Sequence, residues 1–109
     1  MRRGDVIVAA LPGDYGKPRP SVVVQSDRLA GTDTVLVCPI TSSIDERIAL
    51  RPIVDASDVT GLRQRSQIMT EKVTAIRRDK CGSPIGRIDP DTMAELGALI
   101  AFALGLGDM

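Results

Sequence analysis

The stretch GKPRPSVVVQ at residues 16–25 decides the fold class, because a proline-rich loop runs directly into a β-branched strand. Each proline fixes its own φ and biases the preceding residue toward extended geometry, so Lys17 and Arg19 are both kept out of helix. The guanidinium of Arg19 thus sits on a stiff backbone and suits a phosphate or carboxylate, to which its planar fork donates paired hydrogen bonds. A solvated arginine in an ordinary surface turn is the alternative that these residues leave open.

Strand-like segments and one helix surround this stretch. Apolar, β-branched patterns predict strands at residues 5–11, 21–25 and 34–40, and weaker patterns predict strands near residues 50–54, 66–73 and 84–88. A charged turn is expected at residues 77–82. The last segment predicts a helix with Asp89 as N-cap, Pro90 at its first position and Gly105 near its end. These elements predict a mainly β domain, a small, strongly curved antiparallel barrel capped by a C-terminal helix, with residues 1–109 as a single domain.

The predicted helix carries more apolar surface than one packing face needs. Its two apolar stripes comprise Met93, Leu96, Ile100, Ala103 and Leu104 on one side, and Leu99, Phe102 and Leu106 on the other. The second stripe favours self-association, and a thick core is the alternative.

The absence of histidine removes whole classes of enzyme. Without histidine among its 109 residues, the chain can form no His-based zinc site, no Ser-His or Cys-His catalytic pair and no two-histidine ribonuclease site. Cys38 lies in an apolar strand-like run and is expected to be a buried, reduced thiol.

Charge is balanced overall but separated along the chain. Residues 61–88 hold seven basic residues against two acidic ones, whereas residues 89–109 hold four acidic residues and no basic one. A basic face of this kind steers a polyanion, and the solvated side of a sheet is the alternative. Because no apolar run fits a signal peptide or a membrane span, we expect a cytoplasmic protein without a membrane partner.

Five motifs in register resemble the MazF/PemK family of toxins over nearly the whole chain. They are RGD (residues 3–5), GDYGKPRP (13–20), PITS (39–42), GLR with SQIM (61–63 and 66–69) and IGRI (85–88). The resemblance implies an SH3-like barrel, shared with the CcdB relatives, and a homodimer. It also implies a metal-independent, sequence-specific endoribonuclease without a cofactor. A small antitoxin with a disordered, apolar and acidic tail is the expected neutralising partner.

The resemblance also assigns site residues. The arginine of the family's Arg-Pro motif corresponds to Arg19, the threonine of its Pro-Ile-Thr-Ser-like motif to Thr41, and an acidic position to Glu71. Substrate-binding positions are expected at Tyr15, Lys17, Ser42, Gln67 and Lys72. Some relatives carry a glutamate before the Arg-Pro motif, and other branches an arginine where this chain has Met69. These differences leave the general base open between Glu71 and a water.

The reaction expected from these residues is cleavage of single-stranded RNA by its own ribose 2′-hydroxyl, which yields a 2′,3′-cyclic phosphate and a 5′-hydroxyl. Arg19 would supply charge at the phosphate and Thr41 a hydrogen bond. Tyr15 and Phe102 are the only aromatic residues, so base readout is expected to rest on hydrogen bonds to base edges rather than on a row of stacked rings.

Two alternative functions remain at this point. One is a CcdB-like toxin that binds DNA gyrase, although this chain lacks the aromatic-containing tail of those relatives. The other is a catalytically weakened family member that acts as a binding partner in a regulatory complex.

Overall fold

The computed structural model describes residues 1–13 and 17–108, which form seven strands, three 3-10 turns and one helix. The strands are β1 (Asp5–Ala10), β2 (Pro18–Val23), β3 (Thr34–Thr41), β4 (Ile53–Val54), β5 (Ser66–Ile68), β6 (Thr74–Arg77) and β7 (Gly86–Arg87), and the helix α1 spans Pro90–Ala103. The 3-10 turns span Asp27–Leu29, Thr70–Lys72 and Arg78–Lys80. No helix within the described ranges is long and apolar enough to cross a lipid bilayer.

Strand β3 lies at the centre of an antiparallel sheet. Strand β2 pairs along one edge of β3, and β6 and β5 follow each other along its other edge. The strand order along the main path is β4-β5-β3-β2-β1-β7. A mainly β domain with one C-terminal helix was expected, and the structure confirms it.

Two apolar clusters bury both faces of the central strands. Successive side chains along a strand point to opposite faces, so Val6, Val22 and Cys38 join one cluster while their neighbours Ile7, Val23 and Val37 join the other. Met93 and Leu96 of α1 pack into the first cluster. Burial on both faces explains why β1 and β3 are nearly continuous apolar runs rather than alternating ones.

The segment around Arg19 is strand rather than the predicted loop. Strand β2 begins at Pro18, and Arg19 pairs with Ala9 of β1. The prediction of a loop up to residue 20 is therefore wrong for residues 18–20. The fixed φ of proline fits an extended strand, and the start of a strand tolerates its missing N–H.

The strand predicted over residues 66–73 is broken by a turn. Thr70 is fully buried, and its hydroxyl donates a hydrogen bond to the Leu50 carbonyl. This contact accompanies the 3-10 turn Thr70–Lys72, after which the unpredicted strand β6 begins. The strand predicted near residues 50–54 shrinks to Ile53–Val54, as expected where Pro52 interrupts pairing.

The helix α1 begins and ends as the sequence predicts. Asp89 caps its first turn, since Oδ2 accepts a hydrogen bond of 2.9 Å from the Thr92 N–H. Gly105 follows the helix with φ +70°, a conformation that favours glycine. Beyond the buried face, the apolar side chains of Phe102, Leu104 and Leu106 are exposed.

Candidate active site

The register of β2 and β3 brings Arg19 and Thr41 together. Ser21 lies opposite Pro39 in this pair. Arg19 lies two residues before Ser21, and Thr41, the last residue of β3, lies two residues after Pro39, so the alternation of side chains along each strand puts both on the same side of the sheet. Both side chains line one open cleft of about 540 Å³.

The cleft is cationic. Its remaining walls come from residues 11–13, which follow β1, from Pro39 of β3, and from the 3-10 turn Thr70–Lys72 with the residues on either side of it. Lys72 of that turn is exposed and adds a second positive charge beside Arg19. Among the described residues that line the cleft, none is acidic. The arrangement suits a polyanion, because the described part of the walls carries positive charge and no negative charge.

The hydroxyl oxygen of Thr41 is oriented by a backbone hydrogen bond. Its Oγ1 accepts a hydrogen bond of 3.1 Å from the Ser43 N–H, and its side chain is half-buried. A hydroxyl that accepts through oxygen still has its proton to donate. Thr41 can therefore act as an oriented donor at the cleft.

The predicted substrate-binding residues divide into three groups. Lys17, Ser42 and Lys72 are exposed, and Lys72 lines the cleft. Tyr15 lies outside the described residues. Gln67 is only 1% exposed, and its side-chain amide makes two hydrogen bonds to the backbone of Asp45. Oε1 of Gln67 accepts from the Asp45 N–H (2.9 Å), and Nε2 donates to the Asp45 carbonyl (3.1 Å). The structure therefore does not bring the Gln67 side chain to the cleft surface.

Glu71 is held by an arginine that the sequence analysis missed. Nε of Arg51 donates to Oε1 (3.0 Å) and Oε2 (3.2 Å) of Glu71, and a terminal nitrogen donates to Oε2 as well. These hydrogen bonds lower the pKa of Glu71. Glu71 is not among the residues that line the cleft. A carboxylate with lowered proton affinity is a weaker general base.

The thiol of Cys38 does not compete for the chemistry of the cleft. Cys38 is buried on the opposite face of β3, and burial raises the pKa of its thiol to about 12, so it stays protonated and is a poor nucleophile. In the part of the chain that the structure describes, no three His, Cys, Asp or Glu side chains group together to hold a metal ion.

The chain matches known proteins over nearly its whole length. The pattern of the PemK-like, MazF-like toxins of type II toxin-antitoxin systems matches residues 2–104. A protein named "Probable endoribonuclease MazF" from Mycolicibacterium smegmatis is 36% identical over 107 residues, which cover 97% of this chain and 98% of that protein.

Two solved structures share the fold. The Mycobacterium tuberculosis toxin MazF-mt6 superposes with a TM-score of 0.79 at 26% identity, covering 92% of this chain and 95% of that one. An endoribonuclease in complex with its cognate antitoxin, from a mycobacterial species, gives a TM-score of 0.79 at 23% identity, covering 97% and 96% of the two chains.

These matches confirm the resemblance seen in the sequence and the barrel fold that it implied. The endoribonucleases among the relatives agree with the class of enzyme expected from the motifs. The chain belongs to the family of PemK-like, MazF-like toxins of type II toxin-antitoxin systems.

Proposed function

We propose that this toxin cleaves single-stranded RNA, without a metal ion, in the cleft that Arg19 and Thr41 share. The observation that carries the proposal is that a permanent cation and a hydroxyl donor line one cleft, whose described walls also hold Lys72 and no acid. The match to endoribonucleases of the family supports the same activity.

The reaction uses the substrate's own nucleophile. The ribose 2′-oxygen attacks the adjacent phosphorus and loses its proton to a base, while the 5′-oxygen leaves and takes up a proton. The products are a 2′,3′-cyclic phosphate and a 5′-hydroxyl. Arg19 stabilises the extra negative charge on the phosphorane-like transition state, and the Thr41 hydroxyl donates to a non-bridging oxygen.

Position, rather than basicity, favours a water over Glu71 as the general base. Arginine is a poor base, because its pKa lies above about 12. Arg51 donates hydrogen bonds to the carboxylate of Glu71 and lowers the pKa of Glu71, and Glu71 does not line the cleft. We therefore assign the proton of the 2′-hydroxyl to a water and give Glu71 the role of fixing the turn that carries Lys72.

Recognition of RNA is proposed to be sequence-specific and to involve the exposed polar residues around the cleft. Lys72 reaches the phosphate backbone from the cleft wall, and exposed Lys17 and Ser42 lie next to Arg19 and Thr41 in the chain. Unpaired bases expose their edges to such hydrogen-bonding groups, which is the usual route to sequence readout in single-stranded RNA. Tyr15 is proposed to stack on one base.

We also propose a homodimer that a small antitoxin neutralises in the cytoplasm. Exposed Phe102, Leu104 and Leu106 at the end of α1 supply apolar surface for self-association. A solved neighbour in complex with its cognate antitoxin supports the second partner. An acidic, disordered tail suits the cationic cleft, because it folds as it binds.

To test the activity, purified protein is incubated with a long unstructured RNA. In parallel, its effect on DNA supercoiling by gyrase is measured. We expect RNA cleavage and no effect on gyrase. Arg19→Ala should lower the cleavage rate on the order of 10²–10³-fold, the usual cost of losing one transition-state donor. Arg28→Ala is the matched control, because Arg28 is exposed and does not line the cleft.

Each competing function has its own result. Inhibition of gyrase without RNA cleavage would establish the CcdB-like alternative. A folded wild-type protein that binds RNA or antitoxin but cuts nothing would establish the weakened family member. Cleavage at the wild-type rate by folded Arg19→Ala would show that Arg19 is not catalytic.

A further inference from the structure

Gln67 is directly linked to the strand end that carries Thr41. Its Cα is the cross-strand partner of Thr41 in the pairing of β3 with β5. Its buried side chain does not face substrate and instead binds the chain four residues after Thr41. Both hydrogen bonds go to the backbone of one residue, Asp45.

Asp45 is the fixed point of the segment that leaves the cleft. The Asp45 carbonyl also accepts from the Ile48 N–H (3.2 Å), and its carboxylate accepts from the Arg47 N–H (3.1 Å) and Nε (2.9 Å). Between Thr41 and Asp45 lies Ser43, whose N–H binds the Thr41 hydroxyl oxygen. A displacement of Asp45 therefore moves the amide that orients the Thr41 hydroxyl.

We propose that Gln67 is a positioning residue that sets the direction of the Thr41 hydroxyl by holding the backbone of Asp45. The proposal rests on the RNA-cleaving function proposed for the cleft. Its physical basis is the steep dependence of catalysis on geometry, since a misplacement of about 1 Å costs up to about 10²-fold in rate. Gln67 touches no substrate and acts through Thr41 and Ser43.

The chain contains a matched control. Gln25 is also buried and also holds a turn beside β3: Nε2 donates to the Leu29 carbonyl (3.0 Å) and to Thr32 Oγ1 (3.1 Å), and Oε1 accepts from the Leu36 N–H (3.2 Å). None of these partners lines the cleft. Loss of the Gln25 amide costs stability as loss of the Gln67 amide does, because each removes part-buried hydrogen bonds to backbone groups. Loss of the Gln25 amide leaves the Thr41 end of β3 untouched.

The kinetic test compares Gln67→Ala, Gln25→Ala and wild type at a temperature where all three are folded. We expect Gln67→Ala to lower kcat for a single-site RNA by about 10- to 100-fold, with a smaller change in KM, because the cationic residues that bind RNA remain. Gln25→Ala should keep the wild-type kcat. A wild-type kcat in Gln67→Ala, or an equal loss in both variants, would overturn the proposal.

A third variant supplies rescue by the conservative change. Gln67→Glu keeps the acceptor for the Asp45 N–H, but its carboxylate cannot donate to the Asp45 carbonyl. Once protonated, the carboxyl group donates as the amide does. The kcat of Gln67→Glu relative to wild type at the same pH should therefore rise as the pH is lowered. A ratio that stays constant or falls contradicts the positioning role.

Amide hydrogen exchange separates this proposal from the proposed function. Exchange at the Ser43 and Asp45 amides should accelerate in Gln67→Ala and stay at the wild-type rate in Gln25→Ala, whether or not the protein cuts RNA. Unchanged exchange in Gln67→Ala would overturn the positioning role by itself. A wild-type protein that cuts no RNA would instead refute the function on which the role depends.

Discussion

At the scale of single residues, the proposed site rests on two side chains that different strands bring to one cleft. Pro18 and Pro20 restrict the backbone on both sides of Arg19, so the guanidinium starts from an extended strand that costs little entropy to order. Thr41 closes β3, and its hydroxyl is oriented by the Ser43 amide. Arg19 is thus restricted at its backbone, and Thr41 is restricted at its hydroxyl group.

The Glu71–Arg51 pair predicts how stability depends on pH. Arg51 lowers the pKa of Glu71 below its ordinary value of 4.5 in the folded chain. The stabilisation is therefore fully present above that value and is lost as the pH falls through the folded-state pKa. We expect wild type to be more stable than Glu71→Gln near neutral pH and the two to converge in acid.

This expectation is checked by urea unfolding midpoints between about pH 7 and about pH 3. Asp55→Asn is the control, because Asp55 pairs with Arg65 on the surface, where both side chains are mostly exposed. A difference between wild type and Glu71→Gln that is the same at every pH would show that the pair contributes nothing through ionisation.

The sequence predicted that Arg19 and Thr41 share one site, and both line the same cleft, but it misplaced Gln67 and missed Arg51. Arg19 and Thr41 stand in short motifs whose stiffness and position at a strand end are local properties. The surroundings of Gln67 and Glu71 depend on Asp45 and Arg51, which lie 22 and 20 residues away. The pairing register of β3, β4 and β5 creates those contacts, and no local sequence pattern predicts that register.

At the scale of elements, β7 is fixed by close backbone contact with the turn at residues 57–61. Gly61 has φ +74°, and a Cβ built on it would lie 2.3 Å from the Ile85 carbonyl oxygen. The Arg87 N–H donates to the Val59 carbonyl (2.8 Å) across the same contact. The IGRI motif therefore packs against the residues that begin the GLR motif.

Gly61→Ala should destabilise the fold by about 3 kcal/mol, because a methyl group there both overlaps a carbonyl and requires a strained φ. Gly31→Ala is the control, since a Cβ at Gly31 meets nothing within 4 Å. Chemical denaturation measures both variants. Equal stability of the two would contradict the contact between Gly61 and Ile85.

Elements with strong local signals were predicted well, and the short ones were not. The apolar runs of β1 and β3 and the Asp89-Pro90 start of α1 specify their own structure. β6 was missed because the predicted strand ran through the buried Thr70 turn to residue 73, whereas a new strand begins at Thr74. The turn is held by a hydrogen bond from Thr70 to Leu50 in a distant segment. β4 and β7 have two residues each, and they are strands because they pair with neighbouring strands.

At the scale of the whole molecule, the C-terminal end of α1 exposes more apolar surface than is usual for a helix that packs against a sheet. The side chains of Phe102 and Leu106 are 69% and 71% exposed, although both residues belong to the apolar stripes seen in the sequence. The two apolar stripes of the predicted helix indicated this surface, but which of their residues reach the core depended on where α1 meets the sheet. Met93 and Leu96 fill that contact.

The proposed homodimer predicts a concentration-dependent mass. Sedimentation equilibrium should give twice the chain mass of 11.6 kDa for wild type, and Phe102→Glu should shift it toward the monomer because the charge opposes burial. Leu29→Glu is the control, since Leu29 is 51% exposed but lies in the turn before β3. A monomeric wild type, or a dimer unaffected by Phe102→Glu, would contradict this role of α1.

The central claim is that Arg19 and Thr41 act on one phosphate whose neighbouring 2′-hydroxyl is the nucleophile. Its most direct test is analysis of the RNA ends produced by wild type, Thr41→Val and Arg19→Ala in the presence of a chelator. The account predicts undiminished wild-type cleavage with 2′,3′-cyclic phosphate and 5′-hydroxyl ends, and severe loss of rate in both variants. Ends that carry a 5′-phosphate, or activity abolished by the chelator, would contradict it.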